Sequence, residues 1–583
     1  MKFPAFHLLV WIFLYQHLST CHGPVARLTD ENHYSYGHGR SFFYYNQDDR
    51  LQILREFKQA IRARYALLDI KRQRLGVDAA LVFDQALERE AAMLDVHDPS
   101  AQAQSNLEFM DRLKAIAAIF QDSHLQLKEL VPLPDVYLGL KTRWVEGHII
   151  ITSMENRLEE IWRHQKISIE IGDQIIAIDG KPVDEWLEIL QDYIPGSSKA
   201  YRQELAAEAL TKRSFYYPER ATSHLRIRSA NDKYERDVNL TWYTNAETIR
   251  PDAALFLVNR GIQFRVEESY IGVNIYDAPL NLEASEEWFS ADAPDQLVYR
   301  LGYIRKPGKK PVGVLQVFSF YSLEIIQSDG EMLDTWEAPL VRFVKELNEE
   351  KTELILDIRW NEGGHTFLAE NLVRILMPIE VSYASYTEAF RITPSIRQMW
   401  QGQDFKVDSS YSDSQAVRYV NEATMNARDH TYVWAHSEPL EAHPEVGGFE
   451  QGLIVLVSPS CLSSCELLAM LLQQHKRATL LGSETNGTGA GYFEWEPFSG
   501  GRWTDSYEVI TVDIPNYLIG RPGQAGKMLY PSPTAYIEFN KENQPIVADI
   551  PYRETQQDVL RAGTGWFEAA ILRLRDEYHE QSH

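Results

Sequence analysis

The chain has 583 residues, of which 44% are hydrophobic and 11% aromatic. One hydrophobic core rarely serves more than about 250–300 residues, so this length predicts two to four domains. The composition is typical of a folded globular protein. The formal net charge of −25 argues against a nucleic-acid partner or an anionic membrane surface, because both would repel the protein.

The N-terminus has the features of a secretory signal. Lys2 precedes an apolar run over residues 6–15, and small or polar residues follow up to Gly23. This predicts a signal peptide over residues 1–22, whose apolar part is too short to span a bilayer. We therefore expect an exported protein, periplasmic or secreted, without a membrane span. Residues 18–21 also approximate a lipoprotein box, which would make Cys21 a lipid anchor, although ordinary cleavage near Cys21 fits better.

Two further cysteines, Cys461 and Cys465, complete the set of three. Their spacing of four residues at a predicted helix start permits a disulfide in an oxidising compartment. Two buried thiols fit the sequence equally well.

Residues 23–131 are predicted to form an N-terminal helical region. Apolar residues recur at helical spacing in two stripes, which comprise Leu51, Ile53, Leu54, Phe57, Ala60 and Ile61, and then Met110, Leu113, Ile116, Ala117 and Phe120. The second helix leads directly into Asp122-Ser123-His124.

Short strands are predicted over residues 132–243, for example at 137–140, 148–151 and 175–178. The last of these lies between a glycine turn and an Asp-Gly turn. Residues 244–310 are acidic and weakly patterned, which indicates a connecting insertion.

Strands and helices alternate over residues 311–583. Strands are predicted at 312–318, 353–358 and 453–457, and helices at 336–348 and 367–376. This alternation indicates an α/β layer with functional residues at the strand ends. A less regular section at 380–445 interrupts it.

One strand–turn–helix segment, residues 455–468, places Ser463 where a helix begins. A serine held in this way can act as a nucleophile, because the free N–H groups of the first helical turn can stabilise an oxyanion. However, Ser463-x-x-Glu466 also matches a capping box, in which the serine only caps the helix.

Several separated segments together resemble the tail-specific (C-terminal-processing) serine protease family. The segment from Ile171-Gly172-Asp173 to Val183 is similar to the family's PDZ module, and Leu354 to Gly364 is similar to its LxLDxRxNxGG turn. Ser463 to Glu466 is similar to its SxSE turn, with Cys465 at the third position. Leu480 to Gly489 is similar to the strand and glycine loop that follow that turn. They are spread over residues 105–565. The resemblance implies a crotonase/ClpP-like α/β protease core over residues 311–583 with a PDZ-like β-rich domain inserted at 132–243.

The chain departs from this family at the general base. Members typically carry a lysine between the two glycines of the last loop, where this chain has Thr488. A neutral hydroxyl cannot act as a base near neutral pH. The chlamydial protease-like activity factor (CPAF) and the tricorn-type proteases also lack the lysine and resemble enzymes that use a Ser-His pair. The resemblance makes His124 the expected base for Ser463.

The remaining site residues are also expectations from the resemblance. The family's orienting glutamate aligns with Val547 in this chain. The nearby carboxylates Glu538, Glu542 and Asp549 could each replace it, and Asp549 or Glu538 is the expected acid. Backbone N–H groups of Ser464 and of Gly363 or Gly364 are expected to form the oxyanion hole. The strand Leu138-Gly139-Leu140 is expected to bind an extended peptide.

The predicted function is an exported serine endopeptidase that cleaves proteins or peptides through an acyl-enzyme. The alternative, favoured by Thr488 and Val547, is a catalytically inactive member that binds a peptide or another ligand. The chain contains no HExxH, paired CxxC or P-loop motif, so we expect no metal and no cofactor. The sequence is compatible with a homodimer.

Overall fold

The structure is a computed structural model that describes residues 44–129, 133–231, 234–245, 251–265, 269–273, 277, 282–289, 297–320, 337–378, 387–394, 397, 427–436, 440–491, 510–514, 517–520 and 540–581. The predicted signal peptide, Cys21, Glu538 and much of the 380–445 section lie outside these residues. Within the described part, no helix is both long and apolar enough to cross a bilayer.

The predicted N-terminal helices are confirmed. They are α1 (Gln47–Arg64), α2 (Leu68–Leu75), α3 (Ala79–Ala91) and α4 (Pro99–Ile119). Helix α1 begins with a capping box between Asn46 and Asp49, and α4 begins with Asp98 as N-cap and Pro99 in its first turn. Apart from Leu51, the residues of both predicted apolar stripes are buried in the core shared with the β-rich region that follows. Because α4 is packed in this core, the segment Asp122-Ser123-His124 that follows it begins from a fixed position.

The β-rich region that follows comprises short strands and helices. They are β1 (Gln126–Glu129), β2 (Val136–Tyr137), β3 (Leu140–Val145), β4 (His148–Glu155), α5 (Asn156–His164), β5 (Gln174–Ile178), β6 (Lys181–Pro182), α6 (Val183–Gln191), α7 (Lys199–Ala209), β7 (Lys212–Arg213), β8 (Thr222–Arg228), β9 (Glu235–Thr241), β10 (Tyr243–Thr244), α8 (Pro251–Asn259), β11 (Gln263–Phe264) and β12 (Tyr270–Gly272). One sheet has the order β12-β4-β5-β8-β9, with β3 on β4 and β6 on β5, and a smaller one has the order β11-β10-β2-β7.

The expectation for residues 244–310 is wrong. This segment is not only a connection, because β10, β11 and β12 complete the two sheets of the β-rich region. Its last part forms β13 (Leu282–Phe289) and β14 (Leu297–Ile304), an antiparallel pair that extends the sheet of the following domain. Short strands and an edge hairpin bury only part of their residues, which explains the weak sequence pattern.

The C-terminal domain is the predicted α/β layer. Its remaining elements are β15 (Val312–Val317), α9 (Glu337–Glu349), β16 (Leu354–Asp357), α10 (Thr366–Leu376), β17 (Thr387–Arg391), β18 (Tyr432–His436), β19 (Leu453–Val457), α11 (Ser464–Gln474), β20 (Thr479–Gly482), β21 (Ala490–Gly491), β22 (Ile510–Asp513), β23 (Tyr517–Gly520), β24 (Ile550–Pro551), α12 (Gln556–Leu560) and α13 (Thr564–Gln581). The main sheet has the order β13-β14-β15-β16-β19-β20-β24, and its strands from β15 onward are parallel.

The parallel strands are covered on both faces. Leu354, Leu356 and Val455 pack with residues of α9, α10 and α11. Ile355 and Ile454 point to the opposite face, where they pack against α13. Burial on both faces explains the uninterrupted apolar runs in the sequence. Since β16, β19 and β20 are parallel neighbours, the turns that follow them lie at one edge of the sheet.

A buried ion pair joins the N-terminal helices to the C-terminal domain. The Lys71 Nζ on α2 lies 2.6 Å from the Glu542 Oε1, and neither side chain is exposed. Lys71 also donates to the Gln121 carbonyl and the Asn543 side chain. Glu542 accepts further hydrogen bonds from the Ser197 hydroxyl and the Gly489 N–H. The pair therefore fixes the chain just before His124 against the loop that follows β20.

Replacing Lys71 by methionine should lower the free energy of unfolding by about 3–5 kcal/mol, because it leaves the buried Glu542 carboxylate without its cation. Burial already raises the pKa of Glu542, and the Lys71 charge lowers it, so removing Lys71 raises it further. The folded variant then holds a proton that the unfolded chain has released, and the stability deficit should be larger at pH 8 than at pH 5. Urea denaturation, monitored by circular dichroism at pH 5 and at pH 8, measures the loss of unfolding free energy and its dependence on pH.

The matched control is Lys58→Met, which breaks the partly exposed Lys58–Asp84 pair and should cost about 1 kcal/mol or less. Equal losses for Lys58→Met and Lys71→Met would contradict the role assigned to Lys71.

Candidate active site

The turn after β19 carries Ser463 in a strained conformation. Ser463 has φ 59° and ψ −120°, and α11 begins at the next residue. Such backbone angles cost a non-glycine residue roughly 1–3 kcal/mol and occur mainly at functional sites. The preceding residues are tied down, because the Leu462 N–H donates to the Asn361 carbonyl on the neighbouring turn. The fold therefore maintains an unfavourable serine conformation at the sheet edge.

His124 lies directly beside this serine. Its Nε2 is 3.1 Å from the Ser463 Oγ, although the two residues are 339 positions apart. The backbone N–H of His124 donates to the Asp122 carboxylate, which also accepts from the Tyr65 hydroxyl, each at 2.9 Å. Asp122 is fully buried. The structure thus brings the predicted nucleophile and base to hydrogen-bonding distance.

The capping-box interpretation of Ser463 is wrong. The Ser463 side chain makes no capping hydrogen bond. The Glu466 side chain instead turns to the glycine loop after β20, where it accepts from the Thr485 hydroxyl and from the N–H groups of Gly487 and Thr488. Burial raises the pKa of Glu466 to about 7, against the opposing effect of these donors. Glu466 therefore fixes the loop that carries Thr488 to the helix of the nucleophile.

The predicted oxyanion residues surround the nucleophile turn. A Cβ added to Gly363, which has φ 90°, would lie 2.7 Å from the Ser463 Cβ, so only glycine fits there. The Gly363 N–H already donates to the Asn361 side chain. Ser464 and Gly364 are linked by a hydrogen bond from the Ser464 hydroxyl to the Gly364 carbonyl. The Ser464 N–H, first in its helix, is left free of intrahelical bonding.

The expectation that Asp549 orients His124 is wrong. Its carboxylate accepts from the Gln473 side chain and from the Leu480 N–H. Gln473 lies ten residues beyond Ser463 in α11, or about 15 Å along the helix axis. Val547 is exposed, and Glu542 is paired with Lys71. Glu538 lies outside the described residues and stays a prediction.

Cys461 and Cys465 form a disulfide with a Cα–Cα distance of 5.4 Å. This decides between the two alternatives that the sequence left open. The bridge encloses Ser463 within a ring of five residues, and both cysteines are fully buried. It therefore adds a covalent constraint to the nucleophile turn.

The sequence did not reveal the roles of two residues near the site. Glu466 belongs to the SxSE-like motif, but its spacing to Ser463 suggested a helix cap. Asn486 lies four residues after the end of β20 and accepts a hydrogen bond from the Ser123 hydroxyl at 2.7 Å. No local pattern indicates such a contact, because its partners come from distant segments.

The prediction that a peptide binds at Leu138-Gly139-Leu140 is also wrong. Leu138 and Leu140 are fully buried, the Leu138 N–H donates to the Thr211 carbonyl, and the Gly139 carbonyl accepts from the Glu155 N–H. The backbone there has no room for an additional strand. A cavity of about 700 Å³ lies next to it, between β3, α7 and the turn after β16, with Lys141, Thr142, Tyr201, Leu205 and Trp360 in its lining.

Comparisons with known proteins agree with this architecture. Residues 134–249 match the PDZ domain family, and residues 311–496 match peptidase family S41. The solved structure of mature CPAF is 17% identical, with a TM-score of 0.63 over 89% of this chain and 95% of that chain. The structure of mature CPAF complexed with lactacystin is 16% identical, with a TM-score of 0.62 over 91% and 98%. At this identity, the structural likeness concerns the fold. Curated protein sequences give no significant match.

The fold and the family matches together define a serine-type peptidase with a PDZ domain. The S41 match covers residues 311–496, which contain Ser463 and the glycine loop after β20, so this part of the chain is an S41 peptidase domain.

Replacing Gly363 by alanine should slow covalent labelling of Ser463 by a fluorophosphonate by about 100-fold, because displacing a reacting group by about 1 Å has an effect of this size. Gly147→Ala is the matched control: Gly147 has φ 82° and no atom within 4 Å of an added Cβ. This variant should lower the free energy of unfolding by only about 1–2 kcal/mol, the strain of a left-handed alanine, and leave the labelling rate unchanged. Similar labelling rates for both variants would refute this role of Gly363.

Proposed function

We propose that the protein is an exported endopeptidase that hydrolyses peptide bonds in proteins or peptides through an acyl-enzyme on Ser463. The observation that carries this proposal is the 3.1 Å contact between the His124 Nε2 and the Ser463 Oγ in a chain of the S41 family. A histidine at this distance can accept the serine proton as the oxygen attacks, and can return it to the leaving amine.

The proposed mechanism assigns a residue to each step. The Ser463 Oγ attacks the carbonyl carbon while His124 takes the proton. The Ser464 N–H and the Gly364 N–H would stabilise the oxyanion, whereas the Gly363 N–H is occupied by Asn361. Collapse of the intermediate releases the amine, and a water activated by His124 then hydrolyses the ester. Thr488 is not the base in this mechanism, because a neutral hydroxyl does not accept a proton near neutral pH. Its hydroxyl donates to the Asn486 side chain.

We further propose that the peptide binds along β3 from Lys141 onward, and not at Leu138 and Gly139. Among the described residues β3 pairs only with β4, and residues of β3 and α7 line the cavity. An extended peptide can add to such a sheet edge. Arg143 of β3 stacks on Trp360 at 4.3 Å, so the groove continues to the turn that carries Gly363.

Labelling with a tagged fluorophosphonate, followed by mass mapping, tests the catalytic pair. We expect one modified residue, Ser463, and no labelling in Ser463→Ala. His124→Ala should slow labelling by about 100-fold or more, since a missing general base typically costs 10²–10⁴-fold. Lactacystin, present in one solved structure of mature CPAF, provides a second competing probe.

The control variant is His148→Ala, which removes an exposed histidine bonded to Gln174 and should label at the normal rate. A folded protein that is never labelled but still binds peptides would favour the inactive binding protein suggested by Thr488 and Val547.

Export is supported by two independent features. Residues 1–22 have the composition of a signal peptide, and the buried Cys461–Cys465 disulfide fits an oxidising compartment. We expect the full chain to reach the periplasm or the medium with these cysteines oxidised. A chain lacking residues 1–22 should stay in the cytosol with both thiols alkylated by iodoacetamide after denaturation. Mass spectrometry of the two forms distinguishes them, and a full chain found reduced in the cytosol would contradict export.

A further inference from the structure

Asn486 contacts three separate parts of the active site. Its backbone N–H donates to the Cys461 carbonyl in the nucleophile turn at 3.1 Å. Its Oδ1 accepts from the Ser123 hydroxyl, next to His124, at 2.7 Å and from the Thr488 hydroxyl at 3.1 Å. The side chain is fully buried, so solvent does not compete for these bonds.

The loop around Asn486 is fixed to the nucleophile helix. Glu466, three residues after Ser463, holds Thr485, Gly487 and Thr488, which flank Asn486 on both sides. The buried Glu542 holds the next N–H, that of Gly489. Asn486 therefore cannot shift relative to Ser463 without breaking bonds to buried carboxylates, which are costly to leave unpaired.

The turn that carries His124, residues 122–124, is also bound to the loop of Asn486. Ser123 lies between Asp122 and His124, and its hydroxyl also accepts from the Ser197 N–H at 3.1 Å. The bond from Ser123 to Asn486 is a direct connection between the segment of His124 and the loop bound to the nucleophile helix.

The Asn486 amide nitrogen is buried without a hydrogen-bond partner among the described residues. An unpaired buried donor typically costs about 1–3 kcal/mol. An aliphatic side chain of similar size would avoid this cost, so stability alone does not explain an asparagine here. Its acceptor oxygen, which binds the base turn, is the feature that an aliphatic residue would lack.

We propose that Asn486 is a positioning residue that holds the His124 turn against the nucleophile turn through the Ser123 hydroxyl. This inference rests on the proposed function, because it concerns the geometry of the Ser463–His124 pair. Asn486 touches neither reacting atom in the described contacts; it acts through the position of the base. Displacing a reacting group by about 1 Å can slow a reaction roughly 100-fold.

The test is a double-mutant cycle with Asn486→Ala, Ser123→Ala and the double variant in the full chain. A tagged fluorophosphonate gives the rate constant of covalent modification, kinact, and the binding constant, KI. We expect each single variant to lower kinact about 10- to 100-fold with KI unchanged, because the probe still binds but meets a misplaced base. The double variant should lose clearly less than the product of the two single losses, since both single variants remove the same Ser123–Asn486 hydrogen bond.

The matched control is Ser223→Ala, which deletes a buried serine hydroxyl bonded to Asp179 in the β-rich region and should leave kinact unchanged. A kinact within twofold of the unmodified chain in Ser123→Ala, additive losses in the double variant, or an equal loss in Ser223→Ala would overturn the inference. Ser123→Ala changes only one hydroxyl, so it remains informative if Asn486→Ala fails to fold. Absence of labelling in the unmodified chain would instead overturn the proposed function, and this inference with it.

Discussion

The active site depends on two buried glutamates that bind successive backbone N–H groups of one glycine loop. Glu466 accepts from Gly487 and Thr488, and Glu542 accepts from Gly489. Buried carboxylates need such donors because desolvation is expensive for the charged form. Glu466 belongs to the nucleophile helix, and Glu542 is paired with Lys71 of the N-terminal helices. The same interactions that satisfy these charges therefore hold the nucleophile segment and the base segment in one arrangement.

The strain at Ser463 follows from this rigidity. A serine with φ 59° persists only if its surroundings leave no relaxed alternative. Here the disulfide between Cys461 and Cys465, the bond from Leu462 to Asn361 and the close approach of Gly363 restrict the turn from several sides. The base is supported similarly, since Asp122 binds the His124 N–H and the Tyr65 hydroxyl. The proposed nucleophile and the proposed base are thus both held in place by their surroundings.

Much of the fold was accessible from the sequence. The apolar runs of β16 and β19 were predicted because these strands are buried on both faces. The stripes of α1 and α4 were predicted because each helix buries one regular face, and a short window of sequence reveals either pattern. The hairpin β13–β14 and the strands within residues 244–272 were missed, because edge and two-residue strands have little periodic burial. The strand predicted over residues 137–140 is interrupted at Gly139, which has φ 76° and separates β2 from β3. The backbone partners of Leu138 and Gly139 come from later segments.

The sequence by itself determined the family, the strand ends where chemistry could occur and the candidates Ser463 and His124, because motifs and periodicity are local properties. Only the tertiary structure decided that His124 reaches Ser463 and that Glu466 holds a loop instead of capping a helix. It also decided that the Asp549 carboxylate binds the Gln473 side chain and the Leu480 N–H, and that the two cysteines are bonded. These outcomes depend on the register of parallel strands and on the pairing of buried charges, which involve residues hundreds of positions apart.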